Sequence, residues 1–188
     1  MANKTDPKAR GNAKTRANGK DHGKPAGAAG DPGSAKAARA GGAATDYVTF
    51  VIAGQLFGIP VLKVQDVLAA CAVTRIPLAP PEIAGALNLR GRIVTALDVR
   101  LRLGLPAVGD AQERMSIVVE QSGELYSLLV DEVGEVLSLD SAGFQRNPPT
   151  LDARFREYSN GIFRLKDRLL VVLDVDGLLD YESVGKAA

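Results

Sequence analysis

The chain has 188 residues but no tryptophan, one cysteine and one histidine; its aromatic residues are four tyrosines and five phenylalanines. A core built from this stock is aliphatic, made of Val, Leu and Ile. A single cysteine, Cys71, allows no intramolecular disulfide, which fits a reducing cytosol. It sits in Ala70-Cys-Ala72, an apolar setting in which a buried, inert thiol is expected. The only histidine, His22, falls in a segment without core-forming residues, so a Ser-His or Cys-His nucleophile pair has no base in the fold. Zinc would need several Cys or His ligands. No Gly-rich phosphate cradle precedes a helix. No apolar run reaches the roughly 18 residues of a membrane span. The basic N-terminus has no apolar stretch behind it and does not read as a secretory signal. These absences point to a cytoplasmic protein without catalysis, cofactor or metal.

Charge is unevenly spread. Residues 1–45 hold nine Lys/Arg against three Asp, a net of +6, whereas residues 46–188 hold fourteen Lys/Arg against nineteen Asp/Glu, a net of −5. Residues 1–45 contain no Val, Ile, Leu, Phe, Tyr or Trp. Such a segment buries too little apolar surface to offset the entropy of ordering it, and it is expected to be a disordered basic tail. It would serve as a solubilising spacer or attract an acidic partner; without aromatic residues for base stacking, nucleic acid is the weaker option. The folded part is expected over residues 46–181, with a short C-terminal tail over 182–188.

From Tyr47 onward short strand-like runs alternate with Gly, Pro and Asn. Tyr47–Ile52 and Leu56–Ile59 read as a hairpin around Ala53-Gly54. Val61–Leu68 has the spacing of a helical turn but the β-branched content of a strand. Cys71–Ile76 reads as a short strand, followed by an irregular link through Pro77, Pro80 and Pro81. Ala86–Leu89 and Ile93–Leu97 are central strands, the second apolar on both faces and expected to be buried on both. Asp98 is placed to cap a helix over Val99–Leu103 that Gly104 ends. Ser116–Glu120 and Leu125–Val130 form a hairpin, Val133–Leu137 another strand, and residues 140–160 a long polar loop. Gly161–Leu165 and Leu169–Leu173 form a last hairpin, and Asp174 caps a helix over 175–180. Asp174-Val-Asp-Gly177 lacks the further acidic positions of a calcium loop, so a helix cap is the expected role. Asp98, Asp131 and Glu132 read as caps or solvated turn residues. Nine or ten short strands with few helices imply small barrels or a sandwich, and about 140 residues suit two small barrels better than one.

The most informative stretch is Ala86-Leu-Asn-Leu-Arg-Gly-Arg-Ile-Val-Thr-Ala-Leu-Asp-Val-Arg100. Leu87 and Leu89 point one way and Asn88 and Arg90 the other. Gly91 permits a tight turn. Arg90 is then a guanidinium held at a bend, able to make forked contacts with a carboxylate or carbonyl, or else a surface arginine in an ordinary salt bridge.

Asn88-Leu-Arg-Gly91, followed by Ile93, Val94 and Asp98-Val-Arg100, resembles the signature of CheW-type domains. The likeness extends to Val48–Phe50, Phe57-Gly-Ile59, Leu62-Lys-Val-Gln-Asp66, Thr74-Arg-Ile76, Ile83-Ala-Gly85, Val130-Asp131, Asp167-Arg-Leu-Leu170 and Leu173-Asp174. It covers about residues 46–181. The resemblance implies a mostly β fold of two SH3-like five-stranded barrel subdomains with short helices and a shared hydrophobic interface. It implies an adaptor without catalysis that binds methyl-accepting chemoreceptors and the regulatory domain of the histidine kinase CheA, recruited to membrane receptor arrays through these partners. By the same resemblance Arg90 and Asn88 belong to the receptor contact, and Val64 and Asp66 to a separate kinase contact. Phe144–Leu151 is a weaker candidate for a second contact in ring-like arrays. The chain departs from the pattern at Thr95, where the family often has proline, at Asp66, where glutamate is common, and in the apolar Ala70-Cys-Ala72. Rival readings are an adaptor of a non-flagellar chemosensory pathway controlling pili or a second messenger, a small-barrel nucleic-acid binder using the basic tail, and an enzyme of unknown type.

Overall fold

A computed structural model of the chain describes residues 43–70, 72–111 and 114–180. The basic tail up to residue 42, Cys71 and the segment after Asp180 lie outside the described residues, so the expectations for them stand where the sequence left them.

The described residues form eleven strands and three short α-helices. The strands are β1 (Ala44–Ile52), β2 (Gln55–Pro60), β3 (Val64–Leu68), β4 (Ile83–Leu89), β5 (Arg92–Asp98), β6 (Met115–Gln121), β7 (Glu124–Val130), β8 (Glu132–Asp140), β9 (Phe144–Gln145), β10 (Ser159–Arg164) and β11 (Leu169–Leu173). The helices are α1 (Val99–Arg102), α2 (Ala153–Glu157) and α3 (Val175–Leu179). One sheet runs β8-β1-β2-β11-β10-β9 and the other β3-β6-β7-β5-β4. The first lobe therefore pairs the N-terminal hairpin with the C-terminal strands, and the second lobe is the continuous middle of the chain.

The two lobes repeat one plan. In each, an antiparallel hairpin (β4–β5, β10–β11) leads into a short helix capped by an aspartate, and its second strand pairs in parallel with a further hairpin (β5 with β7, β11 with β2). Asp98 accepts from the N–H groups of Arg100 and Leu101, and Asp174 from that of Gly177. The first lobe has a sixth strand where five were expected. It is the two-residue β9, and its counterpart in the second lobe is a single bridge between Thr74 and Ala86. Among the described residues, 72–76, that bridge is all that forms of the strand expected over Cys71–Ile76. The ambiguous Val61–Leu68 divides into a 3-10 turn, Val61–Lys63, and strand β3.

Alternation sends each strand's two faces to different cores. Phe50, Ile52, Phe57, Ile59, Val171 and Leu173 of the first lobe meet Leu97, Ile117, Val119, Leu128 and Val130 of the second in one cluster. The opposite faces line a small core inside each lobe: Tyr47, Leu56, Phe163, Leu170 and Val172 in the first, and Val73, Leu87, Val94 and Ala96 in the second. The shared core fixes one lobe on the other. Residues 140–160, expected to be a loop, contribute to it. Asp152 caps α2, and Leu151 and Phe155, one turn apart, bury against the shared core.

Charged groups also bind the lobes together. Asp131, between β7 and β8, accepts from Arg100 Nη1 (2.5 Å) on α1 and from the Ala53 N–H (2.8 Å) in the β1–β2 turn. Arg114 Nη1 donates to Asp98 at 2.7 Å, and Arg114 Nη2 lies 3.6 Å from Asp131. Asp98 and Asp131 are thus members of one charge network, beyond the cap and turn roles expected of them.

Candidate functional site

Three hairpins turn through two residues of the form X-Gly: Ala53-Gly54, Arg90-Gly91 and Ser122-Gly123. In each both φ angles are positive; in the β4–β5 hairpin they are +52° at Arg90 and +85° at Gly91. This is the type I′ geometry that matches strand twist, and its first central position favours Asn, Asp or Gly. An arginine there carries backbone strain of about 1–2 kcal/mol. Asn88 steadies the turn, its Oδ1 accepting from the Gly91 N–H at 2.8 Å. Its side chain therefore holds the bend that presents Arg90.

From that bend Arg90 reaches the far edge of the same sheet. Its Nη2 donates to Asp66 Oδ2 at 2.8 Å, and Asp66 Oδ1 accepts from the Val67 N–H at 2.9 Å. β3 and β4 are the outermost strands of the second lobe's sheet, so the pair spans the seam where the curled sheet approaches itself. The arginine side chain is 82% exposed and the aspartate 25%. An exposed pair of this kind is worth about 0–1 kcal/mol of stability. Its geometric effect is larger: one nitrogen is tied down, and the rest of the guanidinium faces solvent in a set orientation.

The structure thus brings together residues that the sequence reading put on two surfaces, Arg90 and Asn88 on one and Asp66 on the other. It separates Val64 from Asp66. The β3–β6 register shifts between them, which breaks the alternation. Val64 packs against the shared core, and Leu68 against the small core of the second lobe. Ile93 is a further correction. Expected to be buried with the rest of its strand, it is 84% exposed and pairs across the hairpin with Asn88. Burial of β5 begins at Val94, because Ile93 lies beside the hairpin tip. The alternation that marked β5 as a strand carries no sign of where its cover ends.

Residues 46–183 match the family model described as CheW-like domain. The chain belongs to the CheW-like family. It is 31% identical to the chemotaxis protein CheW of Klebsiella aerogenes over 139 residues, covering 74% of this chain and 84% of that protein. Protein PilI of Pseudomonas aeruginosa is 27% identical, over 66% of this chain and 70% of its own length. The crystal structure of the scaffolding protein TtCheW from Thermoanaerobacter tengcongensis superposes with a TM-score of 0.66 at 29% identity, covering 73% of this chain and 94% of that one. The mostly β, two-sheet fold of this CheW-like domain is the one expected from the sequence. Among the described residues no helix is long and apolar enough to cross a membrane.

Proposed function

We propose that this CheW-like domain is a non-enzymatic cytoplasmic adaptor that couples methyl-accepting chemoreceptors to the histidine kinase CheA. The observation that carries this reading is the Arg90 turn. A strained backbone position is occupied by a long charged side chain that is almost wholly exposed and is oriented by Asp66. Strain kept where glycine or asparagine would relieve it, at a side chain that reaches into solvent, marks a candidate for contact. Arg90 is the receptor contact, with Asn88 holding its turn. Asp66 serves both partners, directly towards the kinase and through Arg90 towards the receptor, and Val64 contributes to the kinase side where it borders the shared core.

The test is binding of a receptor-tip fragment and of the kinase regulatory domain to the wild type and to Arg90→Asn. The variant is expected to lose receptor affinity by about tenfold or more, the scale of one central contact, while keeping its melting temperature and its kinase affinity. Unchanged receptor affinity in a folded variant would remove Arg90 from the contact.

A second reading, an adaptor of a non-flagellar chemosensory pathway, is favoured by the likeness to PilI, a relative whose name is not that of a chemotaxis protein. It uses the same surface and differs in which receptor and kinase fragments bind.

A further inference from the structure

The two lobes share a plan but are filled differently. Counted from their turns, the β1–β2 and β6–β7 hairpins match position by position, so Ser116 stands where Tyr47 does and Ser127 where Gly58 does. The β4–β5 and β10–β11 hairpins match in the same way, counted back from their capping aspartates. Leu87, Val94 and Ala96 then correspond to Phe163, Leu170 and Val172. In the first lobe Gly58 leaves room for its neighbours: a Cβ there would lie 3.0 Å from Leu170 Cδ2 and 3.4 Å from Tyr47 Cβ. Tyr47 and Phe163 pack edge to face with ring centroids 5.4 Å apart, and Phe144 meets Phe163 at 5.5 Å. Among the described residues, the second lobe's own core holds no aromatic side chain.

Alternation turns Ser116 and Ser127 into that smaller core, because Ile117 and Leu128 beside them face the shared one. Both serines are fully buried, and among the described residues neither hydroxyl has a hydrogen-bond partner. A hydroxyl buried in this way gives up its hydration without a bond in exchange. The seams differ as well. In the first lobe the outermost strands, β8 and β9, follow one another through a 3-10 turn, Ser141–Gly143, so the chain itself ties the two edges. In the second lobe residues 69–82 separate the outermost strands, β3 and β4. Among the described residues, the Arg90–Asp66 contact is the hydrogen bond that joins β3 to the β4–β5 hairpin.

We propose that the second lobe opens along this seam as a unit of its own. β3 and the outer part of the β4–β5 hairpin, residues 86–95, part from one another and expose that lobe's small core, while the first lobe and the shared core stay folded. Smaller side chains bury less apolar surface. The two hydroxyls regain water on opening. One exposed ion pair holds the edges, and a hairpin that has lost its packing is marginally stable. Stability is thus uneven across the molecule, and its weaker part carries Arg90 and Asp66. A partner that grips them binds the closed lobe alone, so engagement stabilises this half by mass action.

Native-state hydrogen exchange of the full chain, followed by NMR across a denaturant series, tests the opening. Amides of β3 and of residues 86–95 should be protected at least about tenfold less than those of β1, β2, β10 and β11. Their exchange should also depend less on denaturant, because less surface is exposed. The double variant Ser116→Ala, Ser127→Ala should raise seam protection about tenfold. Val172→Ala, in the first lobe's own core, should lower first-lobe protection and leave that of the seam unchanged. One common level of protection, with both variants moving the amides of both lobes together, overturns the proposal. So does a double variant whose seam amides keep their wild-type protection. A receptor-tip fragment at about ten times its Kd should raise seam protection about tenfold; this arm alone rests on the proposed function. A seam that opens in the free chain but that no fragment slows supports the opening and counts against the receptor contact.

Discussion

At Arg90 side chain and backbone pull in opposite directions. Replacing it with asparagine relieves part of a left-handed strain of about 1–2 kcal/mol and removes an exposed ion pair worth about 0–1 kcal/mol. The two nearly cancel, so thermal unfolding of Arg90→Asn should stay level or move slightly upward while receptor binding falls. Asp66→Asn should act through Arg90. Receptor affinity drops because the guanidinium loses its orientation, and the double variant should lose little beyond Arg90→Asn alone. A double-mutant cycle on receptor binding measures this; full additivity would mean that the two side chains contact the partner independently. Such coupling was not legible in the sequence, where twenty-four residues separate Asp66 from Arg90. The Asn-Leu-Arg-Gly turn was legible, because Gly91 permits a tight turn and alternation shows which residues flank it. Curling of the sheet, which brings its two edge strands together, leaves no local pattern.

Among the elements, hairpins were the easiest to read and capped short helices inside polar stretches the hardest. The β1–β2, β6–β7 and β10–β11 hairpins follow from alternating apolar residues broken by turn residues. α2 was missed because Asn147 to Asn160 is mostly polar. Its only signals are Asp152 as a cap and the pair Leu151 and Phe155 at helical spacing. Asp152 makes α2 sensitive to acid. Hydrogen bonds from the Arg154 side chain, and then from its backbone N–H, hold the Asp152 carboxyl at about 2, down from 3.8. A carboxylate with a lowered folded-state value favours the folded form above its ordinary value, and that contribution disappears as pH falls through the lowered one. The cap is therefore expected to weaken between about pH 4 and pH 2. An NMR titration of the Asp152 carboxyl should show a midpoint near 2, and a midpoint near 4 would mean that the Arg154 contacts are absent. Gly161 tests the packing of β9 on β10. A Cβ there would run into the Phe144 ring and the Gln145 carbonyl, at a φ of +153°. Gly161→Ala should destabilise the fold by about 2 kcal/mol or more in chemical denaturation, and a neutral result would mean that β9 is not held there.

Viewed whole, the molecule is one plan used twice, with its halves joined by an apolar core and a charge network. The sequence contains a sign of the repeat, Leu97-Asp98-Val99 and Leu173-Asp174-Val175, each closing a strand and capping a helix. Strand count and spacing pointed to two small barrels. They did not show that the N-terminal hairpin completes the C-terminal lobe, because that pairing joins the two ends of the folded part of the chain. Asp131 is where the network binds lobe to lobe. Asp131→Ala leaves Arg100 and Arg114, both largely buried, short of their shared carboxylate and should cost about 3 kcal/mol, towards the lower end for a broken buried pair because Asp131 is partly exposed. Denaturant unfolding should show that loss as a lower midpoint. The central claim is that this fold acts by holding two other macromolecules at once. Its most direct test is co-sedimentation of the full chain with a receptor cytoplasmic fragment and the kinase regulatory domain from the same organism. The account predicts that kinase domain and receptor fragment sediment together only when the chain is present, and that Arg90→Asn abolishes the joint complex while sparing the kinase–adaptor pair. Receptor and kinase competing for the chain, each displacing the other, would contradict it.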